Sequence, residues 1–152
     1  MKRRNVVLAA AVGVAATCLP ALAATGLPLV EVFRSPTCGC CGAWVDHLKA
    51  AGFPVKVVEV EDTSTARRKH GLPDKYASCH TGIVTRYVVE GHVPATEVKK
   101  LLALKPSAIG IAVPGMPVGS PGMEMGDDKD PYDVLLIDKR GLATVFARYT
   151  KH

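Results

Sequence analysis

Three cysteines in four residues, Cys38, Cys40 and Cys41, lie between a stretch that reads as a β-strand and one that reads as a helix. Leu29-Val30-Glu31-Val32-Phe33 is short, apolar and β-branched, and Ser35-Pro36-Thr37 breaks it, the pattern of a strand running into a turn. Over residues 42–51, Trp44, Val45, Leu48 and Ala51 share one helical face and Gly52 is a stop signal; residues 55–60 then form a second strand. Strand, helix and strand at this spacing make a βαβ unit with parallel strands and a right-handed crossover. The cysteines therefore fall at the N-terminus of the first helix, where partial positive charge and free N–H groups favour thiolate over thiol.

Further along, residues 63–70 form a polar helical piece ended by Gly71 and Pro73, and Cys79-His80-Thr81 opens a second half. Tyr87-Val88-Val89 reads as a strand that turns at Gly91-His92-Val93. Residues 95–104 read as a helix started by Pro94, with Val98, Leu101 and Leu102 on one face. Residues 113–131 carry Pro114, Pro117, Pro121, Gly115, Gly119, Gly122 and Gly126, a long loop of the kind that is usually functional or disordered. Strands at 133–138 and 143–149 flank Lys139-Arg140-Gly141 as a hairpin. No repeat and no second domain is visible, so the expected class is α/β in one domain.

Residues 1–23 read as a secretory signal: basic Lys2, Arg3 and Arg4, an apolar run from Val6 to Leu19, and Ala21-Leu22-Ala23 as cleavage site. The run is too short for a membrane span. The alternative, a lipoprotein anchored at Cys18, lacks the Leu and small residue expected before a lipidated cysteine. Cleavage leaves residues 24–152 as a single exported domain, expected in a bacterial periplasm. It also lowers the basic count from 19 to 16 against 14 acidic residues, which is no footprint for nucleic acid.

The thiolate is the soft ligand that selects Cu(I) or Zn(II). Cys38 and Cys41, three apart, face the same way in a first helical turn and form a Cys-x-x-Cys pair. Cys40 is surplus to a redox pair and makes better sense as a third ligand. Two structural disulfides remain an alternative; adjacent Cys40 and Cys41 do not pair easily, so that scheme sends one clustered thiol to Cys79. A zinc site is another, though three cysteines in one knuckle partition poorly for a closed tetrahedron. Cu(I) accepts two or three thiolates and shares bridging sulfurs, and Met116, Met123 and Met125 in the loop supply soft thioethers. Among the histidines, His80 abuts Cys79 and joins the candidate ligands. His47, His70 and His152 are left out, and so is His92, at a turn after a strand.

The run Cys38-Gly39-Cys40-Cys41-Gly42, then Cys79-His80-Thr81, then Val89-Glu90-Gly91-His92-Val93-Pro94, then the segment from Val113-Pro114-Gly115-Met116-Pro117 to Gly119-Ser120-Pro121-Gly122-Met123-Glu124, resembles the CopG family of exported copper-resistance proteins. The resemblance implies a thioredoxin-like fold and copper bound through Cys38, Cys40, Cys41 and Cys79 in a cysteine-bridged cluster of more than one ion. The outer ligand candidates are His80, Met116 and Met123. The expected function is periplasmic copper binding in copper resistance, with Cu(I) as the bound form, redox conversion of copper as an extension, and other periplasmic copper-handling proteins as partners. The rival is a periplasmic thiol–disulfide oxidoreductase using Cys38 and Cys41, for which Pro114 would face the pair, a cis bond at Val113-Pro114 matching that fold.

Overall fold

The computed structural model describes residues 26–150. The expected export signal at 1–23, with Cys18, lies outside the described residues, as does His152. Strand β1 (Val30–Arg34) leads into helix α1 (Gly39–Ala50) and returns through β2 (Val55–Glu59). The chain continues through α2 (Ser64–Lys69), a 3-10 turn at Asp74–Tyr76, β3 (His80–Val84), β4 (Tyr87–Glu90), α3 (Ala95–Leu104), β5 (Ala108–Ala112), β6 (Tyr132–Asp138) and β7 (Ala143–Tyr149).

One seven-stranded sheet runs in the order β2-β1-β3-β4-β5-β6-β7. β1 and β2 are parallel, as the βαβ pattern requires, while β3 pairs antiparallel with both β1 and β4. The first four of these strands with α1, α2 and α3 make the thioredoxin-like unit. β5 adds parallel to β4, and the β6–β7 hairpin continues the sheet antiparallel. Among the described residues no helix is long and apolar enough to cross a membrane.

The sheet carries apolar side chains on both faces, as a central sheet covered on both sides must. Trp44, Val45 and Leu48 of α1 and Val98 and Leu101 of α3 join Val30, Val32, Val84, Val89, Ile111 and Val134 in the main core. The neighbours one residue along point the other way: Val88 and Ala112, with Ile137, cover Leu72 and Tyr76 in a smaller core.

Three sequence expectations change. Helix α1 starts at Gly39 rather than residue 42, so Cys40 and Cys41 lie inside its first turn and Cys38 is its N-cap, without a side-chain capping bond. β3 and β5 were not expected, because His80-Thr81-Gly82-Ile83-Val84 and Ala108-Ile109-Gly110-Ile111-Ala112 are short and interrupted by glycine, which alone favours neither. No cis peptide bond occurs among the described residues, so the Val113–Pro114 bond is trans.

Glycine in those strands makes room. A Cβ on Gly82 would meet the Trp44 ring at 3.2 Å, and one on Gly110 would sit inside the Val88 carbonyl of the neighbouring strand. Gly110→Ala is expected to destabilise the chain by about 1–3 kcal/mol through overpacking. Gly39→Ala, which has open space at the Cβ position, should stay within about 0.5 kcal/mol of the parent. Urea unfolding of the two variants checks this; equal midpoints would refute the close packing of β4 on β5.

Candidate metal centre

The centre forms where the first turn of α1 meets the start of β3. Cys38 is held by its own N–H donating to Ser35 O at 3.1 Å and by Arg34 Nη1 donating to its carbonyl at 3.1 Å. The helical spacing then brings Cys38 and Cys41 together as a disulfide with Cα atoms 5.4 Å apart, while Cys40 and Cys79 are free thiols. Cys40 Sγ lies 3.6 Å from Cys38 Sγ and 4.0 Å from Cys79 Sγ. Cys41 Sγ, which carries no proton in the disulfide, rests 3.7 Å from the Cys79 carbonyl oxygen. All four sulfurs lie within 4.8 Å of one another.

Cys79 belongs to a second set of donors. Its sulfur is 3.2 Å from His80 Nδ1 and 3.1 Å from His92 Nε2, and these three groups also lie within 4.8 Å of one another. His92 Nδ1 is 2.8 Å from the Pro121 carbonyl, which can only accept, so Nδ1 carries the proton and Nε2 turns its lone pair toward Cys79. A second atom fixing the tautomer of an imidazole is the usual arrangement behind a metal-binding histidine. His80 is fully buried, its ring 4.3 Å from Trp44 and 4.8 Å from His92, and its Nε2 has no hydrogen-bond partner among the described residues. A buried polar atom left orphaned is costly unless something occupies it or the ring serves another purpose.

The electrostatics keep both rings neutral and the thiol protonated in the absence of metal. Burial drives the His80 pKa down to about 3, with His92 nearby adding to the effect. Burial lowers His92 as well, against opposing pulls from Pro121 and Glu124. Burial, then the Cys40 sulfur, pushes the Cys79 thiol up to about 12. The helix N-terminus therefore does not make Cys79 a ready thiolate; it sits across from the helix rather than on it. A cation placed among these donors would reverse that balance, since metal binding takes the thiolate and displaces its proton.

Of the expected site residues, Cys38, Cys40, Cys41, Cys79 and His80 converge. Met116 and Met123 lie on the 113–131 loop beside its two anchor points. Gly115, before Met116, accepts from Ser78 Oγ at 2.5 Å and donates its N–H to Ala77 O at 3.3 Å. Gly122, before Met123, lies against the first turn of α1, where a Cβ would approach Cys40 O at 2.9 Å and Trp44 N at 2.8 Å. The Met116 side chain is exposed and that of Met123 half-buried.

His92 is the residue that sequence reasoning left out. The β3–β4 register pairs Val84 with Tyr87 and Thr81 with Glu90, so one and two steps further bring His80 opposite Gly91 and Cys79 opposite His92. The signal was a two-residue turn at Thr85-Arg86, concealed because Thr85 adopts positive φ (53°) without the Asn-Gly or Asp-Gly that announces such a hairpin. His47, by contrast, accepts the Ala95 N–H at Nε2 (3.0 Å) and serves to join α1 to α3.

Residues 76–123 match the family described as "Protein of unknown function, DUF411". Two solved structures, "Copper resistance protein copG- Form 2" and "Copper resistance protein copG- Form 1", are similar to this chain at 45% identity and TM-score 0.77. They cover 81% and 82% of this chain and 98% of their own. No curated protein matches.

Acid should weaken the metal-free fold. His47, His80 and His92 all have folded-state values below 6.5, so the unfolded chain takes up protons first as pH falls below 6.5. The stability they confer is fully present above 6.5 and is lost toward the folded values, near 3 for His80. Buried His80 and His92 carry most of the effect, His47 less because solvent screens it, and the raised Glu90 carboxyl opposes them. Urea unfolding from pH 7 to 5 should show falling stability; a flat or rising profile would contradict neutral buried imidazoles.

Proposed function

The chain belongs to the CopG family of copper resistance proteins, and from that membership and the sulfur geometry we propose that it is a periplasmic protein that binds Cu(I) in a cysteine-bridged site of more than one ion. The observation that carries the reading is the pair of extra thiols: Cys40 and Cys79 stand within 4.8 Å of a Cys-x-x-Cys pair that needs neither for redox work. Soft thiolates in that number suit Cu(I), which shares bridging sulfurs between ions. Copper is the cargo, and Cys38, Cys40, Cys41 and Cys79 are its primary ligands once an external dithiol has reduced the Cys38–Cys41 disulfide to two thiols and has itself been oxidised to a disulfide. His80, Met116 and Met123 are the outer candidates, joined by His92, whose free lone pair faces the Cys79 sulfur.

Imidazole beside thiolate places harder donors next to softer ones at one shared sulfur. That mixture supports copper in both oxidation states, so redox conversion of copper is the natural extension of binding. The loop carrying Met116 and Met123 covers the site and is the surface at which copper would pass to or from other periplasmic copper-handling proteins.

A second reading, thiol–disulfide exchange, draws on the Cys38–Cys41 disulfide at a helix N-terminus after a β-strand. It predicts reduction of insulin disulfides that survives Cys40→Ser and Cys79→Ser.

The deciding experiment is an anaerobic Cu(I) titration of residues 24–152 against a chromophoric chelator, after reduction with a dithiol and its removal. More than one copper per chain is expected, with affinity reduced at least tenfold by Cys40→Ser and the copper number lowered when the disulfide is left closed. Stoichiometric Zn(II) with no tight Cu(I) would overturn the reading.

A further inference from the structure

The segment that carries Cys79 and His80 is held on both sides by a single buried carboxylate. Glu90, on β4, is fully buried. Its Oε1 accepts from the Ser78 N–H at 2.8 Å and from Arg67 Nη1 at 3.1 Å, and its Oε2 accepts from Thr81 Oγ1 at 2.7 Å. Ser78 and Thr81 bracket Cys79-His80. Arg67, itself buried, extends the network by donating from Nε and Nη2 to Asp74 Oδ1 at 3.1 and 3.0 Å, at the 3-10 turn that leads into Ser78.

Gly91 makes the approach possible. A Cβ there would meet Ser78 Cβ and Oγ at 2.7 Å, and the residue holds φ +73°. Its N–H donates to His80 O at 3.1 Å. The three residues Glu90-Gly91-His92 thus act in sequence on the opposing segment: a carboxylate grips it, a missing side chain lets it close, and an imidazole meets its sulfur at 3.1 Å.

We propose that Glu90, braced by Arg67, is a positioning residue for the metal centre, fixing the Cys79 sulfur between Cys40 and His92 through its bonds to Ser78 and Thr81. A buried ion pair is an expensive way to gain stability alone, because desolvating both charges offsets most of their attraction. Here each carboxylate oxygen is spent on the chain to one side of the metal-facing pair, which is where conformational specificity is needed. Charge-assisted bonds of this kind are also the stronger and more directional ones.

The test uses the full chain with two variants. Glu90→Gln removes the charge and one acceptor; Thr81→Val removes only the Oε2 bond and leaves the Arg67 pair, so it folds even if the first does not. In metal-free protein with the disulfide closed, a timed iodoacetamide pulse followed by trypsin reads Cys79 in the peptide 76–86 and Cys40 in the peptide 35–49. Cys79 labelling should rise at least threefold in both variants, with Cys40 labelling changed less than twofold. In reduced protein, Glu90→Gln should weaken Cu(I) binding about tenfold, and in a Cys79→Ser background it should change it less than twofold.

A fall in melting temperature with unchanged Cys79 labelling would overturn the proposal, leaving Glu90 a stabiliser of the fold. A loss of Cu(I) affinity that persists undiminished without the Cys79 thiol would overturn it too. The affinity arm rests on the copper reading; parent protein that bound no Cu(I) would defeat that reading, while the labelling arm would still decide the role of Glu90.

Discussion

Trp44 is the joint on which the site and the core both turn. Its indole is fully buried on α1, donates from Nε1 to Val93 O at 2.8 Å, and spans the ring of His80 at 4.3 Å. Gly82 leaves room for the ring on β3, and Gly122 lets the long loop close over the backbone of the same residue. The ring therefore links α1 to β3 and to the segment that follows β4, and the backbone of the same residue meets the loop. An aromatic of this size dominates the energetics of its surroundings by area alone, and its N–H adds direction.

What that joint positions is a composite of two donor sets meeting at Cys79. On one side lie sulfurs supplied by local helical geometry, two of them already bonded to each other. On the other lie two imidazoles kept neutral by burial, one with its tautomer fixed by a backbone carbonyl. Neutral imidazoles and a protonated thiol are poor reagents for free acid–base work, whereas a cation placed among them would supply its own charge and displace the thiol proton.

The long loop is the third wall. It is tied at one end through Ser78 and Gly115 and at the other through Pro121, whose carbonyl orients His92, and Gly122, which lies on the first turn of α1. Glycine at 122, with φ +85°, is needed there both for its backbone conformation and because no Cβ fits beside Cys40 O. The loop and the His92 ring are thus joined by the hydrogen bond from His92 Nδ1 to the Pro121 carbonyl.

Local pattern alone carried a large part of this. The βαβ unit, the helix at 95–104, the C-terminal hairpin and the loop between them were legible because periodicity and glycine or proline punctuation are properties of neighbouring residues. The Cys38–Cys41 facing was legible for the same reason, three residues being one helical turn. The extra thiols of Cys40 and Cys79 were legible as chemistry, since thiol number and softness do not depend on fold. What tertiary structure alone decided was the pairing of β3 with β1 and β4 and of β5 with β4 and β6. A β3 rich in small and polar residues has no strong local preference and exists because it is sandwiched between β1 and β4; its register is set by a Thr85-Arg86 turn that carries no Asn-Gly or Asp-Gly signal. That register, and not proximity along the chain, puts His92 against Cys79, buries His80 beneath Trp44, and aims Glu90 at the residues on either side of the site.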